Sequence, residues 1–250
     1  MRIVISVILL INLFLPKVYA NESSFIVLKI NNQIITNIDL KKEKNYLIAL
    51  NNELKKLKQS EIEKIAKESL IREKIKENEV NRYGLDADTE YVNQIIKKFI
   101  SRLNLETEQQ FNEYLKNFDL TNTDVRKKIN IETSWNGLIY KVYGDQIIIN
   151  KDKIEKKIRK NKKNKKIQKQ YRLSEIVFEI DSGQSVNKKY EIIKKEIIKL
   201  GFKNAANKFS ISDTAKFGGE TGWIDEDQLS DNIRNKIKVI KVGEYTHPIN

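Results

Sequence analysis

Phe217-Gly218-Gly219-Glu220-Thr221-Gly222-Trp223 is the stretch whose reading decides the fold. Glycine tolerates left-handed backbone and lets another strand come close, so this spacing fits a tight backbone crossing. It is not a phosphate loop, because it lacks the Lys-Ser/Thr ending and does not sit between a strand and a helix as such loops do. Upstream, Tyr171 to Ile180 alternates as a strand and Asp181-Ser182-Gly183 is a turn. Val186 to Leu200 is an amphipathic helix on Ile192, Ile193, Ile197 and Leu200, and Phe202 to Phe209 is a shorter one. Downstream, Ser230 to Ile240 reads as another helix, and Gly243-Glu244 starts an extended tail ending at Asn250. Strand, helix, helix, helix, strand is an α/β arrangement.

Further upstream the pattern changes. Lys151 to Lys169 is densely basic and forms the natural boundary; it is either an anion-binding patch or a solvated helix end and linker. Residues 36 to 143 read as about five amphipathic helices with short loops. Thr36 with Asp39, Ser60 with Glu63, Asp88, Thr107 with Gln110 and Thr121 with Asp124 are the expected caps. Leu40, Leu47, Leu50, Leu54 and Leu57 recur at helical spacing, and Gly84 supplies a stop. Phe25 to Ile30 and Gln33 to Ile35 are two short strands around Asn31-Asn32, a pair suited to a tight turn. Ile147 to Ile149 returns to strand character and is expected to pair with that hairpin.

The amino terminus reads as an address. Arg2 precedes an apolar run from Ile3 to Leu15, Pro16 breaks it, and Val18-Tyr19-Ala20 gives a small residue at a cleavage position. The run is too short to span a bilayer comfortably, so the expectation is a cleaved signal, a mature chain from Asn21 and no stable membrane insertion.

Composition narrows the classes. With no cysteine, disulfides and thiolate sites are excluded, and the single histidine, His247, leaves no second imidazole for a metal or acid–base pair. The formal charge is +13, but 39 of the 47 basic residues are Lys and only 8 are Arg. Phosphate and base readers lean on the rigid fork of Arg, so no nucleic acid is expected as partner. No nucleotide motif is present either.

From Arg172 to Ile249 the chain resembles the parvulin family of peptidyl-prolyl isomerases. The resemblance rests on Leu173-Ser174-Glu175-Ile176, Phe202 to Ala206, Phe209-Ser210 with Asp213 beyond, Gly218 to Trp223, and Gly243-Glu244. The hairpin ending in Asn31-Asn32, then Ile34 to Leu40, and a helical block ahead of such a domain are similar to the SurA-type periplasmic chaperones. This implies an α+β chain: a signal peptide at 1–20, a mainly helical chaperone domain at 21–150, a basic helix or linker at 151–170, and a parvulin-like domain at 171–250 that lacks its last strand. The sequence is then either a fragment or carries a degenerate second domain.

The resemblance also implies a site. The family uses a histidine on the first strand, a second on the last strand, a Cys or Asp between them, and a Met, Phe and Gln around the proline. Here Glu175 falls at the first histidine position, and Asp213 matches the acidic variant of the central one. Gln228 matches, Leu229 stands for the Met and Ile233 for the Phe; the second histidine has no counterpart. No cofactor and no metal are implied. The expected function is ATP-independent binding of unfolded outer-membrane or other exported polypeptides in the periplasm. The alternative is active prolyl isomerisation. Tyr91, Tyr114 and Trp135 are the candidates for a client groove.

Overall fold

The computed structural model describes residues 23–30, 32–146, 151–152, 154–156, 159 and 169–249. The signal-like stretch at 1–20, the Ile147–Ile149 strand and most of the basic run lie outside the described residues. The fold is α+β: a helical bundle followed by a C-terminal region with few strands.

The chain opens with a hairpin, β1 (Ile26–Ile30) against β2 (Gln33–Thr36), antiparallel, with Leu28 opposite Ile35. Five helices follow: α1 (Asn37–Leu50), α2 (Gln59–Arg82), α3 (Thr89–Arg102), α4 (Glu108–Lys116) and α5 (Asn122–Tyr143). Four of the expected caps form as read. Thr36, Asp88, Thr107 and Thr121 accept from the backbone N–H groups of Asp39, Tyr91, Gln110 and Asp124, which would otherwise lack partners.

Two expectations in the bundle are corrected. Ser60 is not the cap of α2; the helix starts at Gln59 behind Lys58, whose N–H is received by the Glu61 carboxylate at 3.3 Å. The leucine stripe from Leu40 to Leu57 is not one helix either. Asn51 turns extended, its side chain accepts from Glu53 N–H, and a 3-10 turn runs from Asn52 to Lys56. The break brings Leu54 and Leu57 into the core.

That core is apolar and belongs to the bundle. Leu54, Phe111 and Val125 are fully enclosed, with Leu47, Ile65, Ile96, Phe99 and Ile129 around them. Burial of a Phe or Leu side chain stabilises by about 1.5–3 kcal/mol. A short helix such as α4 is marginal alone in water, and in a folded chain most helical stability comes from packing of an apolar face, here the shared core.

In the C-terminal region, β3 (Gln170–Ser174) pairs antiparallel with β4 (Glu220–Asp225), with Arg172 opposite Trp223. Helices α6 (Val186–Leu200) and α7 (Phe202–Phe209) pack together, and α8 (Asp231–Ile237) follows β4. The expected Tyr171–Ile180 strand stops at Ser174. Beyond it Val177 pairs with the 210–211 segment: its N–H donates to Ser210 Oγ at 3.1 Å and its carbonyl accepts from Ile211 N–H at 2.8 Å. The glycine-rich turn is half strand, since β4 begins at Glu220. The helix expected from Ser230 to Ile240 is limited to Asp231–Ile237, with Ser230 as its cap.

The two regions share a seam. Phe217 meets Phe99 edge to face, centroids 4.8 Å apart at 77°, and Arg102 lies over the Phe217 ring. Leu200 packs on the bundle core. Buried Asn51 and Asn207 hydrogen-bond across the seam, and Asn204 donates to the Glu53 carbonyl at 3.2 Å. Truncating Phe111 tests where the stability resides. Phe111→Ala should cost about 3–5 kcal/mol by urea unfolding, whereas Trp223→Ala, two-thirds exposed at 67%, should change stability by roughly 0.5 kcal/mol or less.

Candidate functional site

The site is built on a turn held from two sides. After α7, Ser210 is buried and its hydroxyl accepts from the N–H groups of Val177 and Ser212. A 3-10 turn runs from Asp213 to Phe217, capped by Ser212. Asn207 donates to the Ala215 carbonyl at 2.7 Å. Gly218 and Gly219 then reverse the chain with φ of 69° and 81°. Glu175 N–H donates to the Gly219 carbonyl at 2.8 Å, which ties the turn to the end of β3.

Glu175 is the centre of a small polar network. The Ser212 and Thr214 hydroxyls reach its Oε1 at 2.8 and 3.0 Å and lie 3.0 Å from each other. A carboxylate accepts and does not donate, and the two nearest donors are turned toward it. Stabilising the twisted amide of an X–Pro bond calls for donors at the amide, against a barrier of roughly 20 kcal/mol. As it stands, this network spends its donors internally.

Asp213 is not part of that network. Its carboxylate faces the bundle, 3.2 Å from Lys76 Nζ of α2. The same ammonium is 2.6 Å from Glu132 of α5. Burial acts to raise the Asp213 pKa, but a hydrogen bond from Glu132 and the charges of Lys76 and Lys216 outweigh it, so the carboxyl sits below its ordinary value. Glu132 is pushed the other way, by burial first and then by Asp213, against the pull of Lys216 and Lys76. Burial also pushes the Lys216 ammonium down.

The remaining expected residues are dispersed. Gln228 is exposed and its amide oxygen receives Asp225 N–H at 3.0 Å, closing the turn after β4. Leu229 is buried, and its carbonyl accepts from Arg234 at 3.1 Å. Ile233 is half-buried on α8. His247 stacks near Tyr190, centroids 5.0 Å apart. Of the groove candidates, Tyr114 packs on the core and donates to the Ala49 carbonyl, Trp135 is half-buried and Tyr91 is exposed.

Sequence reasoning missed Ser212 and Thr214. Their signal is the run Ser210-Ile211-Ser212-Asp213-Thr214, in which hydroxyls alternate ahead of the glycines. It also missed Lys76, Glu132 and Lys216, for which long-range pairing left no local mark.

With this geometry in view, residues 148–250 match the Rotamase family, the PPIC-type PPIASE domain. The match supports the parvulin part of the resemblance and a peptidyl-prolyl isomerase or chaperone-like role for this part of the chain. It begins at residue 148, ahead of the expected domain start at 171. No match was found among curated proteins.

The opposed carboxyl shifts give a pH signature. Glu132, raised in the fold, contributes stability that is fully present below its ordinary value of 4.5 and is lost as pH rises through its higher folded value. Glu132→Gln should remove that decline. Asp213, lowered, contributes stability present above 3.8 and lost as pH falls through its lower folded value, so Asp213→Asn should flatten the acid limb. Urea midpoints of both variants measured across pH check the two signs.

Proposed function

We propose that the chain is an exported, ATP-independent chaperone of the SurA type, which binds unfolded outer-membrane or other exported polypeptides in the periplasm. Its parvulin-like region then serves binding more than catalysis. The observation that carries this reading is the environment of Glu175: an acceptor stands at the expected histidine position, and the nearby hydroxyls are committed to it. Asp213, the expected central acid, is engaged by Lys76 instead.

Two further features support it. The Arg2–Ala20 stretch has the order of a secretory signal. The last turn of α5 leaves Ile139, Tyr140, Val142 and Tyr143 exposed, from 38% to 73%, and clustered exposed apolar side chains mark surfaces that meet another chain. Barrel clients present alternating apolar residues and aromatic girdles, which such a surface would cover without fixing register. Equilibrium binding and release needs no nucleotide.

The second reading, an active peptidyl-prolyl isomerase on exported proteins, is favoured by the family match over 148–250. In it Glu175 and Asp213 act at the amide, with Gln228, Leu229 and Ile233 around the proline.

One pair of experiments separates them. An unfolded outer-membrane barrel protein is diluted from urea and its light scattering followed with the chain from Asn21. Suppression near equimolar ratio without nucleotide is expected; no suppression by folded protein would sink the chaperone reading. With a proline tetrapeptide, isomerisation by the wild type should be slow, and Glu175→His should raise kcat/KM by about tenfold or more, since a positioned proton donor contributes on the order of 10²–10⁴. Fast wild-type turnover that Glu175→His lowers would favour the isomerase.

A further inference from the structure

The turn from Ser212 to Phe217 keeps its shape without help from the charges of the bundle. Gly218 N–H donates to the Ala215 carbonyl at 2.8 Å, Gly219 N–H donates to the Thr214 carbonyl at 2.9 Å, and Asn207 holds the Ala215 carbonyl. The seam beside it rests on the Phe99–Phe217 pair and on Asn51, Asn204 and Asn207. The backbone at Asp213 is therefore placed by contacts in which its own carboxylate has no part.

The direction of that carboxylate is a separate matter. Asp213 stands between Ser212 and Thr214, whose hydroxyls both reach Glu175. Its own side chain goes to the bundle instead. Lys76 of α2 donates to it at 3.2 Å, and a hydrogen bond from Glu132 of α5 adds to the hold. Lys76 is itself anchored on Glu132 at 2.6 Å, so the three side chains close on one another. Lys216, on the same turn, adds charge nearby while lying 5.9 Å from the centres of the Phe99 and Phe217 rings. The Asp213 side chain is 44% exposed, so its partners hold it more than packing does.

We propose that Lys76 and Glu132 are positioning residues of an autoinhibitory contact: from the bundle they draw the Asp213 carboxylate off the Glu175 site and keep the isomerase activity of the C-terminal region low. This rests on the isomerase reading of that region, in which Glu175 and Asp213 act together. The bundle then does more than carry the C-terminal region. It sets which of the consecutive polar side chains Ser212, Asp213 and Thr214 faces the site. An ion pair of this exposure is worth little free energy, so the contact slows the site without closing it.

The test uses the chain from Asn21 carrying Glu175→His, with a proline tetrapeptide as substrate. Lys76→Met and Glu132→Leu are introduced together. That removes one charge of each sign, and apolar replacement of an enclosed ion pair is often neutral for folding, which urea unfolding checks. The double replacement should raise kcat/KM by roughly two- to fivefold, the scale of a partly exposed ion pair. Lys76→Gln alone, which leaves Glu132 in place, should give a smaller gain. Lys76→Arg, which keeps the cation, should leave kcat/KM where it was. Adding Asp213→Asn to the double replacement should abolish the gain, because the freed carboxylate carries it. No gain in an active Glu175→His chain, or a gain that survives Asp213→Asn, would overturn the autoinhibitory contact and leave the isomerase reading standing. No turnover by Glu175→His, with or without the added replacements, would overturn the isomerase reading and the contact with it.

Discussion

No side chain fits at Gly219. A Cβ there would lie 2.2 Å from the Glu175 carbonyl oxygen and 3.1 Å from the Ala206 methyl, at a φ of 81° that L residues seldom adopt. This close crossing lets Glu175 N–H reach the Gly219 carbonyl and sets β3 beside β4. It also fixes how far Ser212 and Thr214 stand from the end of β3. The polar network at Glu175 and the register of the two-stranded sheet both follow from one backbone contact that only glycine allows.

The same turn has a second face, and the two faces differ in kind. Inside the bundle, burial is mostly apolar, the charged exception being Glu43, which is held by Lys128 and Ser69. At the seam, it consists of Asn51, Asn204 and Asn207, shared lysines and one aromatic pair. Buried polar groups must be matched one by one, so the seam specifies orientation more than it adds stability. The ion pairs are partly exposed and individually worth little. Their contribution is geometric: Lys76 points the Asp213 carboxylate away from Glu175.

Much of the fold was legible. Helices α1 and α3 to α5 could be read because their caps and apolar stripes are local signals that agree with one another, and α6 from its apolar stripe alone. Strand β4 was hidden in a glycine-rich run, since Glu220-Thr221-Gly222-Trp223 carries turn residues and pairs only because β3 supplies a partner. The end of β3 was overrun because Ile176 to Ile180 keeps alternating while its backbone bonds to Ser210 and Ile211. At the site, Glu175 and Asp213 could be placed by resemblance, but not their directions. Direction was decided by Lys76 and Glu132, more than eighty residues upstream of Asp213 in the chain.

The carboxylate at position 175 sits in an environment built for it. A half-buried carboxylate loses hydration that something must compensate. Here Ser212 and Thr214 return two hydrogen bonds to a single oxygen, and the buried Ser210 beneath them holds the Ser212 backbone N–H. The chemistry available at this position is a property of the three side chains together, and the turn that Gly219 permits is what keeps them together.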